Sequence, residues 1–160
     1  MTQQGPELKT AYTFKDFLSW ALLALVPVLT AIHAISRASL IWTAVYIVVL
    51  AGCLLVVHRF FCTHCPHYKN TGRTTKCIFL WNFPAVFEPK TGAAGFMEKS
   101  ATALAGIVAV AFPVYWLLAL PILLAVYLLA WAVLFIFLNR YECIRCIYRE
   151  CPMNRADDKP

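Results

Sequence analysis

Six cysteines, four within two similar short segments and one after each segment, are the residues of this chain that could do chemistry. Each segment reads Arg, aromatic, any residue, Cys, any two residues, Cys, and each directly follows a long apolar run; the two segments are 59–65 and 140–146. One further cysteine follows each segment, so the six candidate cofactor and metal ligands are Cys62, Cys65, Cys77, Cys143, Cys146 and Cys151. Two thiolates at positions i and i+3 can turn toward one metal ion, so the two pairs together would supply four ligands.

Two kinds of metal centre fit this ligand set. Zinc takes four thiolates in a tetrahedron, and His64 and His67 lie nearby as acceptable zinc ligands. Iron–sulfur clusters also take four cysteines, and the Cys-Pro steps at 65–66 and 151–152 are typical of ferredoxin ligation. We therefore favour an iron–sulfur cluster, with zinc as the alternative cofactor. Free thiols beside a membrane are the simplest competing interpretation.

The rest of the chain must place these cysteines at a membrane surface. With 61% apolar residues, the sequence is too hydrophobic for a soluble domain and predicts an integral membrane protein. Four apolar runs of about 20 residues are each long enough to span a bilayer; they cover about 17–36, 40–58, 100–118 and 121–139. The predicted fold is all-α: one transmembrane domain over 1–160, a four-helix bundle of two two-helix repeats. Spans two and four should adjoin, so that both cysteine trios can meet.

The basic residues predict the orientation of the bundle. With these spans, thirteen of the fourteen Lys and Arg residues lie on one side and only Arg37 lies on the other. This asymmetry predicts a multi-pass protein of the cytoplasmic (inner) membrane, with both termini, the loop 59–99 and the tail 140–160 in the cytoplasm. The cytoplasm is reducing, which disfavours structural disulfides and favours metal ligation. We attribute the net charge of +6 to this topology and to anionic lipid, not to nucleic acid.

One family resemblance is confined to the cysteine segments. Residues 59–66, Arg-Phe-Phe-Cys-Thr-His-Cys-Pro, resemble the Cys-x-x-x-Cys-Pro segments of membrane-bound ferredoxin-type subunits, although the spacing is one residue shorter. Proteins of that family have a four-span core and pass electrons between quinol and a partner oxidoreductase. The resemblance implies a membrane electron-transfer subunit that works with other protein subunits, with quinone as a further candidate partner.

Two other functions fit the same residues. The first is a non-enzymatic membrane scaffold or assembly subunit whose halves are joined by structural zinc. The second is a four-span thiol–disulfide oxidoreductase. All eight carboxylates lie outside the spans, which disfavours a proton-coupled transporter. The aromatic, Pro- and Gly-rich loop 78–99 is predicted to lie on the bilayer, with a lid over the cysteines or a docking surface as the alternatives.

Overall fold

Helices form most of the computed structural model, which describes residues 9, 12–69, 74–79, 81–84 and 86–147. The helices are α1 (Phe14–Ala38), α2 (Leu40–Phe60), α3 (Pro66–Lys69), α4 (Phe96–Ala111), α5 (Val114–Leu117) and α6 (Pro121–Phe137). Two short strands, β1 (Thr74–Lys76) and β2 (Trp81–Pro84), pair antiparallel between α3 and α4.

Four helical segments are long and apolar enough to span a membrane, which confirms the predicted class of multi-pass, four-helix membrane protein. These segments include the turns that continue the helices, and they run Phe14–Ala38, Leu40–His64, Phe96–Leu117 and Pro121–Arg145. A small β-hairpin is the one addition among the described residues to the all-helical fold expected from the sequence.

Local sequence signals set the ends of these helices. Thr13 and Asp16 form a capping box at the start of α1, in which the Thr13 N–H donates to the Asp16 carboxylate at 2.8 Å. Pro113 separates α4 from α5, because a proline has no N–H to continue the helical hydrogen bonds. Pro121 occupies the first turn of α6, where its missing N–H costs nothing. The third and fourth spans are therefore divided just before residue 121.

The packing of the spans differs from one sequence-based expectation. Helix α1 packs against α2, α5 and α6, and α2 packs against α4. Spans two and four, α2 and α6, make no extensive contact in the described part of the chain, so the expectation that these helices adjoin was wrong. The contacts between the long helices instead run from α6 to α1, from α1 to α2 and from α2 to α4. The central core is formed by alanine, larger aliphatic and tyrosine side chains, namely Ala31, Ala34, Ile35, Tyr46, Leu117 and Tyr127.

A second, smaller core lies at the end of the bundle that carries the cysteines. Leu134 and Leu138 of the fourth span are buried there against Tyr12 and Ile78, and Cys77 packs on the same cluster. The hairpin is therefore held over the ends of α1 and α6, although the segment that leads to it begins at the end of α2. This crossing allows cysteines from the second and fourth spans to approach without contact between the helices themselves.

We expect Ala105→Leu to destabilise the bundle by about 1–3 kcal/mol, the usual cost of overpacking a filled core. Ala105 is the buried residue of α4, the helix that packs against α2. Ala103→Leu is the matched control, because Ala103 is exposed on the same helix. Equilibrium unfolding in mixed detergent micelles measures both variants. Equal effects of the two substitutions would contradict the packing of α4.

Candidate metal centre

The two Cys-x-x-Cys segments adopt the same backbone conformation. Each is a three-residue 3₁₀ turn that begins at the first cysteine and ends just before the second; the turns are Cys62–His64 and Cys143–Arg145. The second cysteine is extended in both cases, with φ/ψ of −73°/137° at Cys65 and −79°/134° at Cys146. In the fourth span, a turn of π-helix at Leu138–Glu142 precedes the motif, a distortion that often accompanies functional sites.

Cys62, Cys77 and Cys146 lie within electrostatic range of Cys65. Burial is the main cause that raises the pKa of the Cys65 thiol, and ionisation of any of these three neighbours would act in the same direction. The backbone N–H of His67 donates a hydrogen bond to the Cys65 sulfur and opposes that shift. A cysteine of the second motif, Cys146, and Cys77 from the hairpin segment therefore both lie near the first motif.

Cys146 of the second cysteine motif (residues 140–146) contacts His67, which lies two residues after the first motif (residues 59–65). Its sulfur lies 3.7 Å from Nε2 of His67, which is only 2% exposed. Cys143 begins the second turn and is half-buried. Cys151, the sixth candidate ligand, lies outside the described residues.

The segment before α1 fixes the second motif in place. The Lys9 N–H donates to the Arg145 carbonyl at 2.7 Å, directly beside Cys146. The Lys9 ammonium bridges Asp16 at 2.9 Å and Glu142 at 3.2 Å, so one cation links the start of α1 to the end of the fourth span. Tyr12 lies against the edge of the His67 ring, with 5.0 Å between the ring centroids.

Residues 86–95 cover the first cysteine motif. The Lys90 N–H donates to the carbonyl of the fully buried Thr63 at 3.0 Å, and His64 Nδ1 lies 3.0 Å from the Gly92 carbonyl. The Tyr68 hydroxyl accepts from the Phe87 N–H at 3.1 Å and donates to the Phe87 carbonyl. This part of the loop predicted to lie on the bilayer is thus bonded to the turn that holds Cys62 and Cys65.

A charged group anchors this cover to α4. The Glu98 carboxylate lies 3.0 Å from His64 Nε2, pairs with the Lys90 ammonium, and accepts from the Gly95 N–H at 2.9 Å. The first turn of α4 is therefore tied directly to His64, one of the two residues between Cys62 and Cys65. A movement of α4 along its axis would strain this link, and so would a movement of the cysteine turn.

We expect Tyr68→Phe to loosen the cover, because it removes both hydrogen bonds to the Phe87 backbone. The cost in stability is about 1–2 kcal/mol, the usual range for losing a buried hydrogen bond and leaving its partner unpaired. The amides of residues 86–90 should exchange hydrogen several-fold faster, as measured by mass spectrometry. Tyr115→Phe is the control, since Tyr115 is 76% exposed and lies on α5. Unchanged hydrogen exchange in Tyr68→Phe would show that Tyr68 does not hold residues 86–95 over the first cysteine motif.

The side chains are gathered but not in ligand geometry. Among the described residues, no three His, Cys, Asp or Glu side chains lie close enough together to hold a metal ion as they stand. The donor set itself suits a thiophilic metal, because three of the other five candidate cysteines interact with Cys65 and His67 adds an imidazole. Rotation of these side chains toward a common point is the change that metal binding would require.

Sequence reasoning missed Lys9 and Tyr12 as neighbours of the site. Lys9 and Glu142 are 133 positions apart, Lys9 lies outside both cysteine segments, and Glu142 occupies a position of the second segment that any residue could fill. His67 was considered only as one of two nearby histidines, whereas the structure brings it specifically to Cys146. The one available signal was local: the Thr13–Asp16 capping pattern fixes where α1 begins, and therefore sets Tyr12 just before that helix.

Comparison of the chain with protein-family models, with curated proteins and with solved structures found no match.

Proposed function

We propose that this chain is a small integral membrane subunit that holds a cysteine-ligated metal centre and passes electrons within a larger oxidoreductase complex. The centre is an iron–sulfur cluster. The sequence predicts the two Cys-x-x-Cys pairs as its first ligands, and the contacts of Cys65 favour Cys77 in place of Cys143, so the proposed set is Cys62, Cys65, Cys77 and Cys146. The observation that supports this proposal most directly is the gathering of thiols from both motifs around Cys65. Cys143 and Cys151 complete the set of candidates and would serve a second centre or replace one of the four.

Electrostatics supports a bound cation at this position. Several thiols that face one another in a buried site resist ionisation, since each thiolate disfavours its neighbours and burial penalises every charge. Such an arrangement is unfavourable for thiolates alone and becomes favourable when a metal neutralises them. Burial and the neighbouring cysteines raise the pKa of the Cys65 thiol, so a metal bound at this position would have to displace its proton. Metal uptake at neutral pH should release protons from these thiols.

The hydrogen bond to the Cys65 sulfur supports a redox role for the centre. Backbone N–H groups that donate to ligand sulfurs are one of the means by which proteins set the potential of iron–sulfur clusters. The His67 N–H supplies such a donor here, and Pro66 between the two residues helps to shape the turn. The site is also half-enclosed, because residues 86–95 lie over the first motif.

The surroundings support a subunit of a complex rather than a whole enzyme. Large apolar side chains are exposed along the spans, as expected where lipid or other membrane subunits cover them. The N-terminal segment, the connection before α4 and the end of the fourth span meet at one end of the bundle. With thirteen basic residues assigned to that end, we place it in the cytoplasm, on the inner membrane. Quinone is a candidate electron partner within the bilayer.

Metal analysis of anaerobically purified protein tests the proposal. We expect iron and acid-labile sulfide bound in stoichiometric amounts, a brown colour, and a paramagnetic signal in one redox state. Stoichiometric zinc without iron would overturn the electron-transfer role. A protein that binds no metal at any stage of preparation would overturn the metal centre altogether. In that case, an impermeant maleimide applied to intact cells distinguishes thiols on the two sides of the membrane, and an outward-facing site would favour thiol–disulfide exchange.

The second candidate function, a membrane scaffold held together by structural zinc, is favoured by one distance. In a tetrahedral site with Zn–S of 2.3 Å and Zn–N of 2.0–2.1 Å, a sulfur and a nitrogen ligand lie about 3.6 Å apart. The Cys146 sulfur and His67 Nε2 are separated by 3.7 Å. A Cys₃His zinc site would therefore use His67 as a ligand, and His67→Ala would release zinc. An iron–sulfur site with four thiolates would instead keep its metal in the same variant.

A further inference from the structure

We propose that the β-hairpin and the start of α1 form a membrane anchor, which places aromatic rings at the lipid interface and binds an anionic phospholipid. The rings of this anchor belong to Phe14, Phe17, Trp20, Phe79 and Trp81. The anchor lies outside both cysteine segments, and its binding to lipid needs no metal centre.

The five rings form one continuous line of contacts across two elements of the chain. Within α1, the Phe17 ring lies between Phe14 and Trp20, with centroid distances of 6.3 Å and 6.5 Å. The hairpin adds a ring at each end of this line, because Trp81 lies 6.3 Å from Phe14 and Phe79 lies 5.2 Å from Trp20. Tryptophan is enriched where membrane meets water, since its amphipathic ring sits at the headgroup level. The line of rings therefore has the composition of an interface.

The position of Trp20 along α1 gives the depth of the hairpin turn. Lys15 and Asp16 are charged residues in the first turn of α1, and no charged residue follows from 17 to 36. At 1.5 Å per residue, Trp20 lies about 6 Å beyond Asp16 toward the apolar part of the span. Phe79 of the hairpin turn contacts Trp20, so the turn reaches the boundary between the headgroups and the hydrocarbon.

Neighbouring residues of the hairpin turn face different surroundings. Ile78 is 3% exposed and packs with Leu134 and Leu138 of the fourth span, whereas Phe79 is 37% exposed. Phe14, at the other end of the line of rings, is also exposed. The backbone of a hairpin is unsuited to the hydrocarbon core, where its outer N–H and C=O groups would have no partner. The hydrated headgroup layer removes this restriction, so the exposed rings meet lipid at that level.

The charges beside the rings select the kind of lipid. Lys76 directly precedes the turn, Lys15 lies within the first turn of α1, and both are exposed. The carboxylate in that turn, Asp16, is already paired with the Lys9 ammonium at 2.9 Å and accepts from the Thr13 N–H. A lysine can lay its alkyl chain along apolar surface while its ammonium reaches a phosphate. The accessible charges beside the rings are therefore positive, and they favour an anionic headgroup over a zwitterionic one.

A photo-crosslinker at position 79 tests the anchor in the full-length protein. p-Benzoyl-L-phenylalanine replaces Phe79, and the protein is reconstituted in nanodiscs with equal amounts of phosphatidylglycerol and phosphatidylcholine. After irradiation, intact-mass spectrometry should show lipid adducts, with phosphatidylglycerol exceeding phosphatidylcholine by about twofold or more. The same crosslinker in place of Tyr46, which is 2% exposed in the bundle core, is the control and should give no lipid adduct. Absence of lipid adducts at position 79 would overturn the anchor.

A lysine variant tests the choice of lipid. Lys76→Gln, made in the chain that carries the crosslinker at position 79, should lower the excess of phosphatidylglycerol by about half or more and keep the adducts themselves. Arg37→Gln is the matched control, because Arg37 is exposed in the last turn of α1, at the opposite end of that helix. Equal labelling of the two lipids in the parent protein, or an excess that Lys76→Gln leaves unchanged, would overturn the proposal.

Hydrogen exchange replaces crosslinking if the crosslinker prevents folding. In nanodiscs of phosphatidylglycerol, the amides of residues 76–79 should exchange several-fold more slowly than in phosphatidylcholine, and Lys76→Gln should reduce this difference. Equal exchange of the wild-type protein in the two lipids would overturn the anchor. Protein without bound metal should give the same results in every arm, so failure of the proposed function leaves the anchor standing.

Discussion

Replacement of Cys65 by serine is expected to remove nearly all of the bound metal. Cys65 interacts with Cys62, Cys77 and Cys146, so it is the donor that every arrangement of a shared centre requires. Loss of an outer-shell partner alone typically lowers metal affinity 10–100-fold, and the loss of a direct thiolate ligand should exceed about 100-fold. Metal-to-protein ratios after size-exclusion chromatography measure this effect.

Cys53→Ser is the matched control for this experiment. Cys53 lies within α2, and it is also half-buried, but it belongs to neither motif. The control protein should keep its full metal content, which shows that loss of a thiol alone does not strip the site. Cys146→Ser should match Cys65→Ser, because the two residues come from different motifs. Loss of metal from one of these two variants only would contradict a centre shared between the motifs.

The membrane class and the four helical spans could be predicted because they depend on composition and on chain length. A run of about 20 apolar residues has few alternatives to a transmembrane helix. Every backbone N–H and C=O group in the bilayer core needs a hydrogen-bond partner within the protein, and a helix provides one. Composition alone does not show where the long apolar stretch divides into two spans. Pro121 marks that boundary. These signals are local, so a single sequence is sufficient to read them.

The arrangement of the helices could not be predicted in the same way. We expected α2 and α6 to adjoin, because their cysteine motifs could then meet. This was wrong, because the segment that follows α2 reaches across to the end of α6. The short helix α3 and the hairpin carry Cys77 from the end of α2 to the core beside Leu134 and Leu138. Apolar helices also have nearly uniform surfaces, so hydrophobic periodicity says little about which face contacts which neighbour.

The ligands of the candidate site stay a prediction, and its supports were not predicted at all. The cysteine spacing predicts Cys62, Cys65, Cys143 and Cys146 as ligands, and the structure places Cys62 and Cys146 within electrostatic range of Cys65. The supports come from residues without any sequence pattern of their own, such as Tyr12 against His67. Contacts of this kind join distant parts of the chain, and only the three-dimensional fold brings them together.

Lys9→Met is expected to destabilise the protein by about 2–4 kcal/mol, slightly below the 3–5 kcal/mol measured when one partner of a fully buried ion pair is removed. The reason is the Glu142 carboxylate, which is 8% exposed and would lose the cation that lies 3.2 Å away. Asp16 would also lose its cation, but it keeps its hydrogen bonds to Thr13 in the capping box. Equilibrium unfolding in mixed detergent micelles, followed by tryptophan fluorescence, measures the change.

A second substitution separates the charge effect from lost packing. Glu142→Gln in the Lys9→Met background should restore about half or more of the lost stability, because a neutral amide costs far less to bury than an unpaired carboxylate. Lys15→Met is the control, since Lys15 is exposed in the first turn of α1, and a surface change of this kind should stay within about 0.5 kcal/mol. If the double variant is instead less stable than Lys9→Met, the Glu142 carboxylate has other stabilising partners and does not depend on Lys9. The N-terminal segment would then not be what holds the second cysteine motif beside the first.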